Sequence, residues 1–164
     1  MGQKGIRGNG QMTWPENNGR IPIMKEYPWM PIARSKLGIH EIPGPETQKF
    51  IGDCLASVGL PRDDSISWCS AFANKIMEMA GYKGTHSGMA RSWLRWGREP
   101  TDEEFGEGVI VILWRGDPDG EMGHVFFLTD WTDDTVTGIG GNQGDCVSEA
   151  TFPMSRVLGF RVPA

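Results

Sequence analysis

The hydrophobic period of this chain changes once, and the change falls near Pro100. Before it, apolar residues recur at the spacing of amphipathic helices. After it, they come in short runs bounded by turn residues, as strands do. Helices come first and strands last, and the 23 glycines fit a loop-rich fold better than a helical bundle. This order predicts an α+β fold, with N-terminal helices packed on one face of a C-terminal antiparallel sheet of about five strands.

In the first half, Trp29, Ile32, Ala33, Lys36 and Leu37 predict a short helix stopped by Gly38. Glu41-Ile42-Pro43-Gly44-Pro45 is a turn, because proline restricts itself and its predecessor. Phe50, Ile51, Leu55 and Val58 mark a second helix ended by Gly59, and 60–67 a loop. Trp68, Phe72, Ile76 and Met79 form the apolar stripe of a third helix ended by Gly81, with Ser65 or Ser67 suited to cap it. A shorter helix over Met89 to Trp96 stops at Gly97. The expected strands are 109–114, 124–129, 135–139, 147–152 and 157–162, in a meander where the third pairs with the second.

With 164 residues the chain is long enough for one domain with a proper core, expected over residues 26–164. Residues 1–25 are rich in Gly, Asn, Gln and basic side chains without a clear period, and read as a flexible tail or a strap. The formal net charge of −5 argues against a general nucleic-acid binder. No apolar run reaches membrane-span length and no apolar stretch follows Met1-Gly2-Gln3-Lys4-Gly5. Synthesis in the cytoplasm without a signal peptide is therefore expected, with any action on a cell wall needing release or delivery by another agent. Cysteines 54, 69 and 146 are odd in number and lack ligand spacing, so neither a disulfide framework nor a structural zinc site is indicated; a Cys54–Cys146 pair stays open.

The chemistry concentrates in Ser65-Ile66-Ser67-Trp68-Cys69-Ser70-Ala71-Phe72. Cys69 falls at a helix start, where the positive end of the macrodipole favours thiolate. The N–H groups of Cys69 and Ser70 lack helical acceptors there and could serve a developing oxyanion. A buried apolar cysteine is the competing reading. His124 opens a strand and could complete a Cys–His pair. Asn142, in Gly140-Gly141-Asn142-Gln143-Gly144, could orient that imidazole, or the segment could simply be a turn. His40, His86 and Cys146 are weaker rivals. Asp102-Glu103-Glu104 reads as a solvated face or the first turn of a short helix.

Taken jointly and in order, Trp68-Cys69-Ser70-Ala71-Phe72, Ala90-Arg91-Ser92-Trp93-Leu94-x-Trp96-Gly97, Gly123-His124-Val125 and Gly140-Gly141-Asn142-Gln143-Gly144 resemble the CHAP-like proteins of the NlpC/P60 superfamily, over about residues 29–163. The resemblance implies a papain-like fold and cleavage of amide bonds in bacterial peptidoglycan, with phage endolysins among the members. Carried over by motif, Cys69 is the nucleophile, His124 the base and Asn142 the orienting group. Trp68, Arg91, Trp93 and Gln143 are the expected substrate contacts, Trp93 being equally suited to the core. Trp68 stands where many NlpC/P60 peptidases have aspartate, and Gly140 where many CHAP enzymes have glutamate. Both a muramoyl-alanine amide and a stem-peptide bond are compatible substrates. A monomer needing no metal or cofactor is expected. An injected antibacterial amidase, or a wall-binding or virion module without turnover, are the alternatives.

Overall fold

In a computed structural model, residue 15 and residues 27–42 and 47–164 are described. Three α-helices, α1 (Trp29–Ser35), α2 (Lys49–Ser57) and α3 (Cys69–Met79), precede a 3-10 segment, Ala90–Arg95. Five strands follow: β1 (Ile110–Trp114), β2 (Gly123–Trp131), β3 (Thr135–Gly140), β4 (Ser148–Pro153) and β5 (Val157–Arg161). All pairings are antiparallel, so the architecture is α+β. The proposed tail, except Pro15, and Pro43-Gly44-Pro45 of the proposed turn lie outside the described residues. Pro15 is buried, and its carbonyl accepts a 2.6 Å hydrogen bond from Trp131 Nε1. Among the described residues no helix is long and apolar enough to cross a membrane.

The sheet order is β4-β3-β2-β1-β5, which corrects the expectation of a simple meander. The first four strands do follow one another, but β5 returns to pair with β1 at the far edge. The link from β4 to β5 is only Met154–Arg156. A flat sheet would separate its outer strands by about 19 Å, from four spacings of about 4.8 Å. Three linking residues in a 3-10 turn advance only about 2 Å each. The sheet therefore curls until its edges approach. Arg156 marks the closure, with its guanidinium 5.7 Å from the Trp114 ring centre on β1 and 5.6 Å from that of Phe152 on β4.

α3 is the central helix. It touches α1, α2, β2 and β3, and eight of its eleven residues are buried, from Cys69 to Asn74 together with Ile76 and Met77. This departs from a single stripe: Met79 is exposed, and Ala73 and Met77 fill the core instead. A helix covered on several sides has no need of a clean amphipathic period. Phe72 of α3 meets Phe127 of β2 edge-on at 6.3 Å. Strand alternation turns His124 and Phe126 to the other face. There both approach Phe152, at 5.2 and 5.3 Å.

Candidate active site

Cys69 is the first residue of α3, and Trp68 is its N-cap. No side chain caps the helix, against the expectation for Ser65 or Ser67. Ser65 instead donates its hydroxyl to Asp63 Oδ1 at 2.7 Å, and Ser67 Oγ lies 3.9 Å from Cys69 Sγ. The bond from Phe72 N to Trp68 O, 2.9 Å, is the first of the helix ladder. The N–H groups of Cys69 and Ser70 therefore have no intrahelical acceptor. The start of the helix is pinned from beneath. Ser70 Oγ donates to Ser87 O at 2.7 Å and accepts from Trp93 Nε1 at 3.0 Å, and Trp68 Nε1 donates to Glu41 Oε1 at 2.8 Å.

β3 stops pairing with β2 before the residues that meet the sulfur. The last matched pair at this end is Phe127 with Ile139, which leaves the edge of β2 open at His124 and Val125. α3 starts against that gap. The His124 side chain and the Val125 backbone N–H both act on the Cys69 thiol, and each lowers it.

The second shared partner of His124 is Gln143. Nε2 of the imidazole lies 2.8 Å from Gln143 Oε1. The Gln143 amide nitrogen donates to two carbonyls, Ser148 O at 2.6 Å and Gly138 O at 3.3 Å. Carbonyls only accept, so the amide orientation is fixed and Oε1 must be the acceptor toward histidine. Nε2 therefore carries a proton, and Nδ1 is left to face the thiol. Asn142, the residue expected to orient the imidazole, lies elsewhere: its Nδ2 is 3.5 Å from Ser67 Oγ. The reason is local. Asn142 adopts the left-handed region at φ 60, so the chain reverses there, and it is the next side chain that reaches the imidazole. Gly140 permits this, because a Cβ there would come within 2.6 Å of Gln143 Oε1.

The electrostatics reinforce the geometry. Burial pushes the Cys69 thiol up, but the hydrogen bond and charge of His124, the Val125 N–H and the Ser67 hydroxyl reverse this and hold it below the ordinary thiol value. Burial pushes His124 down, and the bond and charge of Cys69, helped by Gln143, outweigh it and raise the imidazole. Each group favours the charged form of the other. The pair is closed over: Cys69 is 3% and His124 9% exposed.

The remaining expected contacts fall differently. Trp68 and Trp93 are fully buried, so neither ring offers a face to substrate. Arg91 donates to three backbone carbonyls, Asp117 O at 2.7 Å, Met122 O at 2.9 Å and Pro118 O at 3.1 Å, which engages its guanidinium in holding the β1–β2 loop. Gln143 is occupied by His124 and the β3–β4 carbonyls. Cys54, Cys69 and Cys146 are all free. Burial, first of several influences, pushes the Cys54 thiol to about 12. Cys146 donates to Gln143 O at 3.3 Å. His40 approaches Gly38 O at 3.2 Å, and the His86 backbone N–H donates to Asn74 Oδ1 at 2.8 Å. Among the described residues no group of three or more acidic, His or Cys side chains is arranged to hold a metal ion.

No protein-family model matches this chain, and no curated protein matches it either. The arrangement itself defines what chemistry the residues can perform: a thiol at a helix start, paired electrostatically with an imidazole whose far nitrogen is fixed by a buried amide.

Proposed function

We propose that this protein is a cysteine amidohydrolase of papain-like design that cuts amide bonds in the peptide part of bacterial peptidoglycan, acting as a phage endolysin. One observation carries the chemical half of this reading: the Cys69–His124 pair at the start of α3, with Gln143 Oε1 2.8 Å from the far imidazole nitrogen. The peptidoglycan half is supported by the joint resemblance of the four motifs around Cys69, Arg91, His124 and Asn142 to CHAP-like proteins.

In the proposed reaction, Cys69 as thiolate attacks the amide carbonyl carbon. The C=O electron pair moves to oxygen, which the N–H groups at the helix start stabilise. The tetrahedral adduct collapses, His124 gives its Nδ1 proton to the leaving amine, and an acyl-thioester remains on Cys69. A water, deprotonated by His124, then releases the carboxylic acid and restores the thiol pair. Gln143 keeps the imidazole in one tautomer throughout, a positioning role.

Mass spectrometry of purified peptidoglycan digested by the wild type and by Cys69→Ala tests the whole reading. New amine and carboxyl ends in the wild-type digest are expected, and their masses identify either the muramoyl-alanine amide or a stem-peptide bond. Cys69→Ala is expected to lose at least about 10³-fold in rate, the scale on which nucleophile deletions act. Equal release by Cys69→Ala would overturn the mechanism. A wall-binding module is the second reading, favoured by the near-complete burial of the sulfur at 3% exposure. Sedimentation with peptidoglycan without any new ends would favour it.

A further inference from the structure

Asn142 is displaced from the imidazole, and its backbone conformation is unusual for any residue but glycine. At φ 60 it is one of three non-glycine residues with positive φ among those described. Left-handed geometry is uncommon for residues with a Cβ, although asparagine tolerates it better than most. The conformation has a geometric result: adjacent side chains serve opposite sides of the turn. Gln143 is buried against His124, and Asn142, half-buried, is aimed toward Ser67.

That aim leads to the sulfur. Asn142 Nδ2 is 3.5 Å from Ser67 Oγ, and Ser67 Oγ is 3.9 Å from Cys69 Sγ. With the amide donating, the serine oxygen accepts, and its hydroxyl proton is turned toward sulfur. Along this relay the amide N–H meets the serine oxygen, and the serine O–H meets the sulfur. The 3.5 Å separation is long for an N–H···O bond, whose usual range ends near about 3.2 Å. The amide is therefore directed at the site without being tied down by a strong partner. Its second N–H has no protein acceptor within bonding distance among the described residues. Ser67 lies two residues before Cys69, so this amide is aimed at the same end of α3 as the free N–H groups of Cys69 and Ser70.

We propose that Asn142 is a catalytic residue that donates an Nδ2–H hydrogen bond to the oxyanion formed when Cys69 attacks an acyl carbon, completing a hole whose other donors are the helix-start N–H groups. The assignment rests on reading Cys69 as an acyl-transfer nucleophile and is independent of whether peptidoglycan is the substrate. In the step, the Sγ–C bond forms and the carbonyl π pair becomes the oxyanion. Asn142 lends a hydrogen bond without transferring its proton. The pair returns to form C=O as the leaving group departs.

Two reagents separate this role from any effect on the thiol. Acylation by p-nitrophenyl acetate passes through an oxyanion, and alkylation by iodoacetamide, a displacement at saturated carbon, does not. Both rates are measured in a Cys146→Ser background, which leaves Cys69 and the fully buried Cys54 as the remaining thiols, with a Cys69→Ala control for Cys54. Asn142→Gly removes the amide and suits the positive φ, which protects folding. It should slow acylation by about 10²-fold, the loss typical of one oxyanion donor, and leave alkylation unchanged. Asn142→Asp, of the same shape but anionic, should slow acylation at least as much. Unchanged acylation in either variant overturns the assignment, and so does a matched fall in both reactions, which would mark a role in tuning the thiol. A wild type that is acylated at Cys69 yet leaves peptidoglycan intact sinks the wall substrate and spares Asn142. Equal acylation of Cys69→Ala sinks both.

Discussion

Gln143 determines which nitrogen of His124 faces the sulfur, and it does so through bonds that have nothing to do with histidine. Its amide nitrogen is held by Ser148 O and Gly138 O, so its oxygen has no choice of partner. Replacing it by glutamate would set a carboxylate against two carbonyls, so the acid is not a conservative change here. Gln143→Leu removes the acceptor and frees the imidazole to rotate or change tautomer. Under the proposed reaction the rate should fall about 10²-fold, within the range of general-base contributions. The pH midpoint of Cys69 alkylation should also rise toward the ordinary thiol value of about 8.5. An unmoved midpoint would mean that Gln143 only fills space. The sequence made Cys69 and His124 visible because a helix start and a strand start each leave a pattern. It did not distinguish Asn142 from Gln143. Two adjacent polar side chains in a glycine-rich turn look alike until a backbone angle, φ 60 at Asn142, assigns them to opposite sides.

At the scale of elements, the turn after β3 is shaped by two glycines with different duties. A Cβ on Gly141 would come within 2.6 Å of the Trp68 ring and 2.7 Å of Phe72 Cβ, both fully buried. A Cβ on Gly140 would meet Gln143 Oε1 at 2.6 Å and Phe126 Cβ at 2.9 Å. Gly141→Ala should therefore act on stability, by about 1–3 kcal/mol as overpacked cores do, read as a lower midpoint in urea at constant slope. Gly140→Ala should act more on the site: it drives the Gln143 amide away from His124, so alkylation of Cys69 should slow at neutral pH. If both variants lose stability alone, with the thiol unaffected, this division of duties is wrong. Glycine pairs after a strand signalled a turn in the sequence, but close backbone approach is the stronger reason here. Element positions were legible to within two or so residues, because periods of 3.6 and 2 differ plainly. The placement of β5 beside β1 was not: no local pattern encodes which edge a last strand joins, and only the three-residue link through Met154–Arg156 forces the curl. The exposure of Met79 was hidden for a similar reason, since α3 is covered from several sides and its burial does not follow one stripe.

For the molecule as a whole, the pair ties folding to pH in a way that can be isolated. His124 is raised in the folded state, so its contribution is complete below its unfolded value of about 6.5 and is lost as pH climbs through the folded value. Cys69 is lowered, so its contribution is complete above an unfolded value of about 8.5 and is lost as pH drops through the folded value. Between about 6.5 and 8.5 the unfolded neutral pair holds one proton, and wherever the folded protein holds the thiolate–imidazolium pair it also holds one, so the two slopes cancel. Above about 8.5 the unfolded thiol is ionised, and for as long as the folded imidazolium keeps its proton stability falls with a slope of one proton, about 1.4 kcal/mol per pH unit. Cys54 adds a slope of the same sign, because burial raises its folded thiol to about 12, and it does so with or without Cys69. Urea unfolding of wild type and Cys69→Ala across this range removes that common part. The wild type should lose stability more steeply on the alkaline side by about one proton, and the excess should fade once His124 itself deprotonates. Curves parallel across the whole range from acid to alkaline pH would mean that no thiolate–imidazolium pair exists in the folded protein, and the activated nucleophile would go with it.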